Sequence, residues 1–320
     1  MNEPKKIDLA QIPTPLQKIS FQNKGFYIKR DDLTGAELTG NKVRKLEYLL
    51  YQAKREKSDY IFTCGGTQSN HARATAIAAA QLGFKSRLFL WGKESRNADG
   101  NLFMDKFVGA EVTFLNKKSY VKVNEIMFDE RKKLLKKGKN AFVLPEGGST
   151  VLGIWGYIKF IQELNKQIDL NKISGLVAAS GSGGTAAGLL VGASLLNLNL
   201  KIFAVSVFYS PEELKKKILF LAKGNILEYG LNCELKESNL QILGGYSKEG
   251  YKNISKDKIN LISKFARETG IFLDPAYTGK AFCAYYDNLL SKGKGLENIF
   301  IHTGGLFGIF AKREKYLRIT

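Results

Sequence analysis

The chain has 320 residues, 44% hydrophobic and 25% charged, and its 49 lysines and arginines against 30 aspartates and glutamates give a formal charge of +19. That composition excludes a disordered, collagen-like or coiled-coil chain, and at this length a core forms without disulfide or metal staples. Three cysteines and two histidines make neither a disulfide framework nor a His/Cys metal site, and they fit a reducing, cytoplasmic setting.

In chain order, helical periodicity is expected over 42–57, a strand over 60–64, a helix over 69–82 and a strand over 86–91. A helix over 101–108, a strand over 111–115, a helix over 123–137 and a strand over 141–144 follow. The second half continues with a helix over 156–165, a strand over 175–179, a helix over 185–195 and a strand over 201–208. Helices over 258–269 and 280–291 and a strand over 298–302 complete the pattern. The strand segments are β-branched or aromatic and bounded by Gly, Asn or Pro. Their alternation with helices predicts an α/β fold, mainly parallel, with right-handed crossovers. No solenoid-period repeat interrupts it.

The first residues lack the apolar segment of a secretory signal, and no run reaches the roughly 20 apolar residues that cross a bilayer. The excess positive charge is spread over the chain. Its densest run, Arg131, Lys132, Lys133, Lys136, Lys137 and Lys139, contains no aromatic residue for base stacking and reads as a solvated helix face, not a nucleic-acid site.

Glycine-rich stretches fall where strands hand over to helices: CGGTQSN from Cys64, EGGST from Glu146, SGSGGT from Ser180 and HTGG from His302. In an open α/β sheet these turns border the ligand crevice. The Ser180 stretch lacks the endings of nucleotide and dinucleotide loops. Its glycines, its hydroxyls at Ser182 and Thr185 and the following helix N-terminus suit a single phosphate. Lys42 opens a helix beside Arg44 and Lys45. Helix dipole and neighbouring cations would favour its neutral, nucleophilic amine; a plain surface lysine is the simpler reading.

Taken together and in order, GNKVRKLEYLL, CGGTQSNHARATA, SGSGGTAAGLLVG, LDPAYTGKA and IHTGG resemble the pyridoxal-phosphate enzymes of the 1-aminocyclopropane-1-carboxylate (ACC) deaminase / D-cysteine desulfhydrase family. The resemblance covers nearly the whole chain and is weakest over about 115–140 and 210–245. It implies a two-lobe, fold-type II architecture like the tryptophan synthase β subunit. Residues 47–153 would be a smaller lobe inserted into a larger one (1–46 and 154–320), the cofactor pyridoxal 5'-phosphate would lie between them, and the enzyme would be a homodimer.

The resemblance also implies roles. Lys42 would bond the cofactor aldehyde, Asn70 its ring hydroxyl, and Ser182, Gly183, Gly184 and Thr185 its phosphate. Ser69 would face the substrate carboxylate, with Gln68 and His71 flanking that pocket. Tyr277 would stack near the cofactor, with Tyr251, or in competition Tyr246, as a second tyrosine. Where ACC deaminases carry Glu after the matching tyrosine, this chain has Thr278; where they carry Leu in the last glycine motif, it has Thr303; and His71 replaces a common Gln. All three departures resemble D-cysteine desulfhydrases. A hydroxyl at the pyridine nitrogen makes a weaker electron sink than a carboxylate, enough to expel a thiolate but less suited to opening a cyclopropane. The expected reaction is α,β-elimination of D-cysteine to pyruvate, hydrogen sulfide and ammonia. ACC deamination, elimination from another small amino acid, or simple binding of cofactor or polyanion are the alternatives.

Overall fold

A computed structural model describes residues 3–250 and 253–317. Its first sheet contains β1 (Leu16–Phe21), β2 (Lys24–Lys29), β7 (Gly175–Ser180), β8 (Lys201–Ser206), β9 (Leu240–Leu243) and β10 (Asn298–Ile301), in the order β1-β2-β10-β7-β8-β9. Only the β1–β2 hairpin is antiparallel. The second sheet is wholly parallel, in the order β5-β4-β3-β6, from β3 (Tyr60–Gly66), β4 (Lys85–Trp91), β5 (Glu111–Leu115) and β6 (Ala141–Val143).

Helices cover both faces of the first sheet. On one side lie α6 (Trp155–Asn165), α7 (Gly184–Leu195) and α8 (Pro211–Glu228); on the other, α9 (Lys256–Thr269) and α10 (Thr278–Asn288). The second sheet is packed by α1 (Lys42–Arg55) and α2 (Asn70–Gln81) on one face and α5 (Val123–Leu135) on the other, with α3 (Gly100–Phe107) against α2. Short helices α4 (Lys117–Tyr120), α11 (Leu306–Phe310) and α12 (Arg313–Leu317) complete the chain. The mainly parallel α/β prediction is met. The position 46/47 lies inside α1, which runs through it as one helix.

Sequence explains the packing. Helix α7 is apolar all round and almost entirely buried, as a helix between a sheet and another helix must be. Its Gly188 faces α6 so closely that an added Cβ would meet Tyr157 Cβ at 2.5 Å. Three expected features gain neighbours that sequence reading missed. The hairpin turn of β1 and β2 uses Gln22 and Asn23 at φ of 50° and 59°, not the Asn-Gly that marks such turns. Helix α8 is capped by Ser210, which accepts from Glu213 N at 3.2 Å, with Pro211 and two glutamates in its first turn; this cap was a legible signal. Strand β9 is only four residues long. Among the described residues no helix is long and apolar enough to cross a membrane.

Candidate active site

The strand C-termini of both sheets point into one cleft, lined by residues from α1, the α2 start, the β7–α7 turn and the turn after β10. One half of it is an anion cup. Gly183, at φ +87°, turns the chain into α7, so free backbone N–H groups and the positive end of the helix dipole face the cleft. Thr185 Oγ1 accepts from Asn41 Nδ2 at 2.9 Å, which leaves its proton to donate. Ser182 Oγ bonds Ser149 Oγ at 2.7 Å. A Cβ on Gly184 would lie 2.5 Å from Ser149 Oγ and 2.7 Å from Lys45 Nζ, so only glycine leaves this space open.

Lys45 is the residue that sequence reading passed over. It is 1% exposed, and its Nζ has only neutral partners, Gly147 O at 3.3 Å and Ser149 Oγ at 3.1 Å. Burial, then the nearby Lys42, push its ammonium well below the usual lysine range. A buried cation without a carboxylate, set beside an anion cup, calls for an anion. Its i, i+3 spacing from Lys42 on one helix was the signal that could have found it.

Lys42 borders both halves of the cleft. Its amine is lowered to about 8 by burial, opposed by the charge of Glu146. This corrects the expectation that Arg44 helps depress it. Arg44 turns to the opposite side of α1, where its guanidinium meets Asp31 Oδ1 and Glu163 Oε2 at 2.8 Å each. Tyr157 Oη donates to Asp31 Oδ2, and Lys29 Nζ meets Glu163 Oε1 at 2.6 Å. This buried network locks the start of α1 and so the position of Lys42.

The α2 start forms the next wall. Ser69 is its N-cap: Oγ accepts from Ala72 N at 3.2 Å and keeps its own proton. Asn70 Oδ1 accepts from Asn101 Nδ2 at 3.0 Å, which leaves Asn70 Nδ2 to donate into the cleft. His71 is buried and bonds Thr63 Oγ1 at 2.9 Å through Nε2; Thr63 itself donates to Leu144 O. Nε2 therefore carries the ring proton and Nδ1 does not. Burial, then Lys42 and Lys45, hold the ring neutral by depressing its pKa well below the usual range. Gln68 does not flank the pocket as expected. Its amide is spent on α3, donating to Asp99 O at 2.8 Å and accepting from Asn101 N at 2.9 Å.

The far end of the cleft separates the two threonines. Thr303 and Gly304 line it beside Tyr277. Thr278 does not, because its hydroxyl is turned into the α10 cap, donating to Asp274 Oδ1 at 2.7 Å and accepting from Asp274 N at 2.9 Å. Tyr246 lies elsewhere, donating to Asp287 Oδ2 at 2.9 Å, and Tyr251 falls outside the described residues. Glu146 is the only carboxyl side chain on the cleft among the described residues. Among those residues no cluster of three or more His, Cys, Asp or Glu could hold a metal.

The family model for pyridoxal-phosphate dependent enzymes matches residues 7–304. The chain belongs to that family. It is 40% identical to a Thermotoga maritima protein provisionally named a 1-aminocyclopropane-1-carboxylate deaminase, over 97% of this chain and 99% of that one. It is 36% identical to the bifunctional D-cysteine desulfhydrase/1-aminocyclopropane-1-carboxylate deaminase, mitochondrial, of Arabidopsis thaliana, over 95% and 79%. The crystal structure of an ACC deaminase homologue superposes with a TM-score of 0.91 at 35% identity, covering 99% of this chain and 97% of that one. This pyridoxal-phosphate dependent enzyme therefore has the two-sheet, fold-type II architecture.

The cleft fits the cofactor on its own geometry. The phosphate is the anion that the buried Lys45 ammonium and the α7 cup lack. The lowered Lys42 amine is the nucleophile an aldehyde requires. Asn70 Nδ2 is the free donor for a ring oxygen.

Proposed function

We propose that this enzyme is a carbon–sulfur lyase that eliminates thiol from D-cysteine, giving pyruvate, hydrogen sulfide and ammonia. The observation that carries the reading is the ring-nitrogen end of the cleft: a threonine, Thr303, stands there with no carboxylate beside it. Pyridoxal phosphate, when bound, takes up the electron pair released at the substrate α-carbon. A hydroxyl partner moderates that uptake, which suits expulsion of a thiolate better than carbon–carbon cleavage of a cyclopropane. The names of the relatives span both activities, so ACC deamination stays the second reading.

In this reading Lys42, Asn70, Ser182, Gly183, Gly184, Thr185 and Thr303 hold the cofactor, with Lys45 added to the phosphate set. Ser69 and the N–H groups that begin α2 bind the substrate carboxylate, where dipole and hydroxyl both favour an anion. The Lys42 amine takes the α-proton; a pKa near 8 leaves a useful fraction unprotonated at neutral pH. Glu146 protonates the departing sulfur, since burial raises its carboxyl above the ordinary range. Tyr277, between the two halves of the cleft, covers the ring and excludes water. Residues 47–153 act as the smaller lobe, and the enzyme works as a cytoplasmic homodimer. The apolar Phe220 and Leu227, exposed one face apart on α8, are the surface offered for that contact.

The test is a substrate panel with purified holoenzyme. Sulfide and pyruvate from D-cysteine, without 2-oxobutyrate from ACC, support the reading; 2-oxobutyrate from ACC with an inert D-cysteine overturns it.

A further inference from the structure

We infer that the enzyme also eliminates S-substituted cysteines whose sulfur carries an apolar or aryl group, releasing the corresponding thiol. This rests on the elimination reading above.

The cleft does not end at Lys42 and Ser69. It continues into a chamber, and the substrate side of the cleft amounts to about 420 Å³. That lies within the ~300–1,000 Å³ typical of sites for drug-sized ligands. Free cysteine carries a single sulfur beyond its β-carbon and would leave most of this space as water against an apolar wall. The wall is Trp91 at the end of β4, Val121 just after α4, and Phe208 and Tyr209 just after β8. Each follows a strand C-terminus or a short helix at the mouth, so both sheets contribute to it.

Two features choose the occupant. Phe208 is 52% exposed and Val121 84% exposed, so large apolar side chains meet water where a ligand would cover them. The charged groups facing the chamber, apart from Lys42, are Glu146 and Lys117. They are of opposite sign, and a neutral substituent is accepted there where a phosphate or an ammonium would each meet one repulsive partner. Continuity with Lys42 and Ser69 fixes which part of the ligand enters: the group beyond the β-carbon.

The step balances without a further reactant. The Cα–H and Cβ–S bonds break, the α-proton goes to Lys42, and the Cβ–S pair leaves with sulfur, which takes a proton. The pair left at Cα forms the Cα–Cβ double bond. Water then hydrolyses the released enamine after tautomerisation, giving pyruvate, ammonia and the free thiol.

The experiment compares D-cysteine, S-methyl-D-cysteine and S-benzyl-D-cysteine on the yellow holoenzyme, with pyruvate and thiol measured. The expected result is a kcat/KM for the benzyl substrate at least equal to that for D-cysteine. In Phe208→Ala the benzyl-to-cysteine ratio should fall by about tenfold or more, the scale of lost apolar contacts in a specificity pocket. Elimination of D-cysteine with no pyruvate from the benzyl substrate overturns the inference and leaves the elimination reading standing. Inert cysteine and inert benzyl substrate together overturn both. A benzyl substrate that turns over with an unchanged ratio in both Phe208→Ala and Trp91→Ala removes the chamber as its site.

Discussion

Asn101 holds Asn70 by its side-chain amide: Nδ2 donates to Asn70 Oδ1 at 3.0 Å, while Asn101 Oδ1 accepts from the buried Arg73 Nε at 2.9 Å. The second bond fixes which way the Asn101 amide faces, and the first then fixes Asn70 Nδ2 toward the cleft. Asn101→Ala should lower kcat/KM about tenfold, the scale for groups that orient a contacting residue. It should also shift the visible band of the bound cofactor. Because Arg73 and Asn70 each lose a partner, stability should fall by about 1–3 kcal/mol. An unchanged spectrum with lowered stability would reduce Asn101 to a packing role.

Lys42 and Glu146 give a prediction on pH. The Lys42 amine sits at about 8, and the charge of Glu146 holds it up. The nucleophile is the unprotonated form, so the rate at which resolved apoenzyme regains its visible band should rise with pH through about 8. Glu146→Gln removes the negative charge, disfavours the ammonium, and should move that midpoint lower. A midpoint near the ordinary lysine value in the wild type, or an upward move in the variant, would sink this account.

Lys45 separates cofactor affinity from apoprotein stability. Its pKa is depressed in the folded state, so the native chain holds fewer protons than the unfolded one and stability rises with pH up to the ordinary lysine range. At neutral pH that group costs stability until an anion arrives. Lys45→Met should raise the melting temperature of the apoenzyme and weaken cofactor retention at the same time. A variant with lowered apo stability and normal retention would refute the assignment.

Gly188 tests the packing of the larger sheet. With Tyr157 Cβ 2.5 Å from an added Cβ, Gly188→Ala must push α6 from α7. A loss of about 1–3 kcal/mol is expected, as for overpacked cores, seen as a lower denaturation midpoint. Gly138→Ala, where nothing lies within 4 Å of an added Cβ, is the comparison for backbone strain alone, since Gly138 has a positive φ of 70°.

The elements best legible in sequence were the buried parallel strands and their following helices. Residues 60–66 and 175–180 form unbroken apolar runs ending in glycine or serine, and a strand covered on both faces needs that composition. The hairpin was missed because Gln22–Asn23 lacks glycine. Helix α8 was missed although its Ser-Pro-Glu-Glu start marks a helix. At the site, residues whose backbone begins a helix, such as Ser69 and Thr185, were readable from their motifs. Side-chain direction was not. Thr278 and Thr303 look alike in sequence, yet one faces Asp274 and the other the cleft. Arg44 was credited with a charge effect on Lys42 that its turn into the Asp31–Glu163 pair removes.

Helix α1 sorts three basic residues within four positions. Lys42 and Lys45 share the face toward the cleft, and Arg44 takes the face toward the core. At 3.6 residues per turn each position is rotated by about 100° from the last. One residue inserted before Lys42 would leave the set intact. One inserted between Lys42 and Arg44 would turn the guanidinium away from its carboxylates and Lys45 away from the cup together. The tolerance of this segment to length change is thus set by angular phase: no substitution elsewhere can restore a cleft whose reacting and phosphate-binding amines no longer lie on one line of the helix.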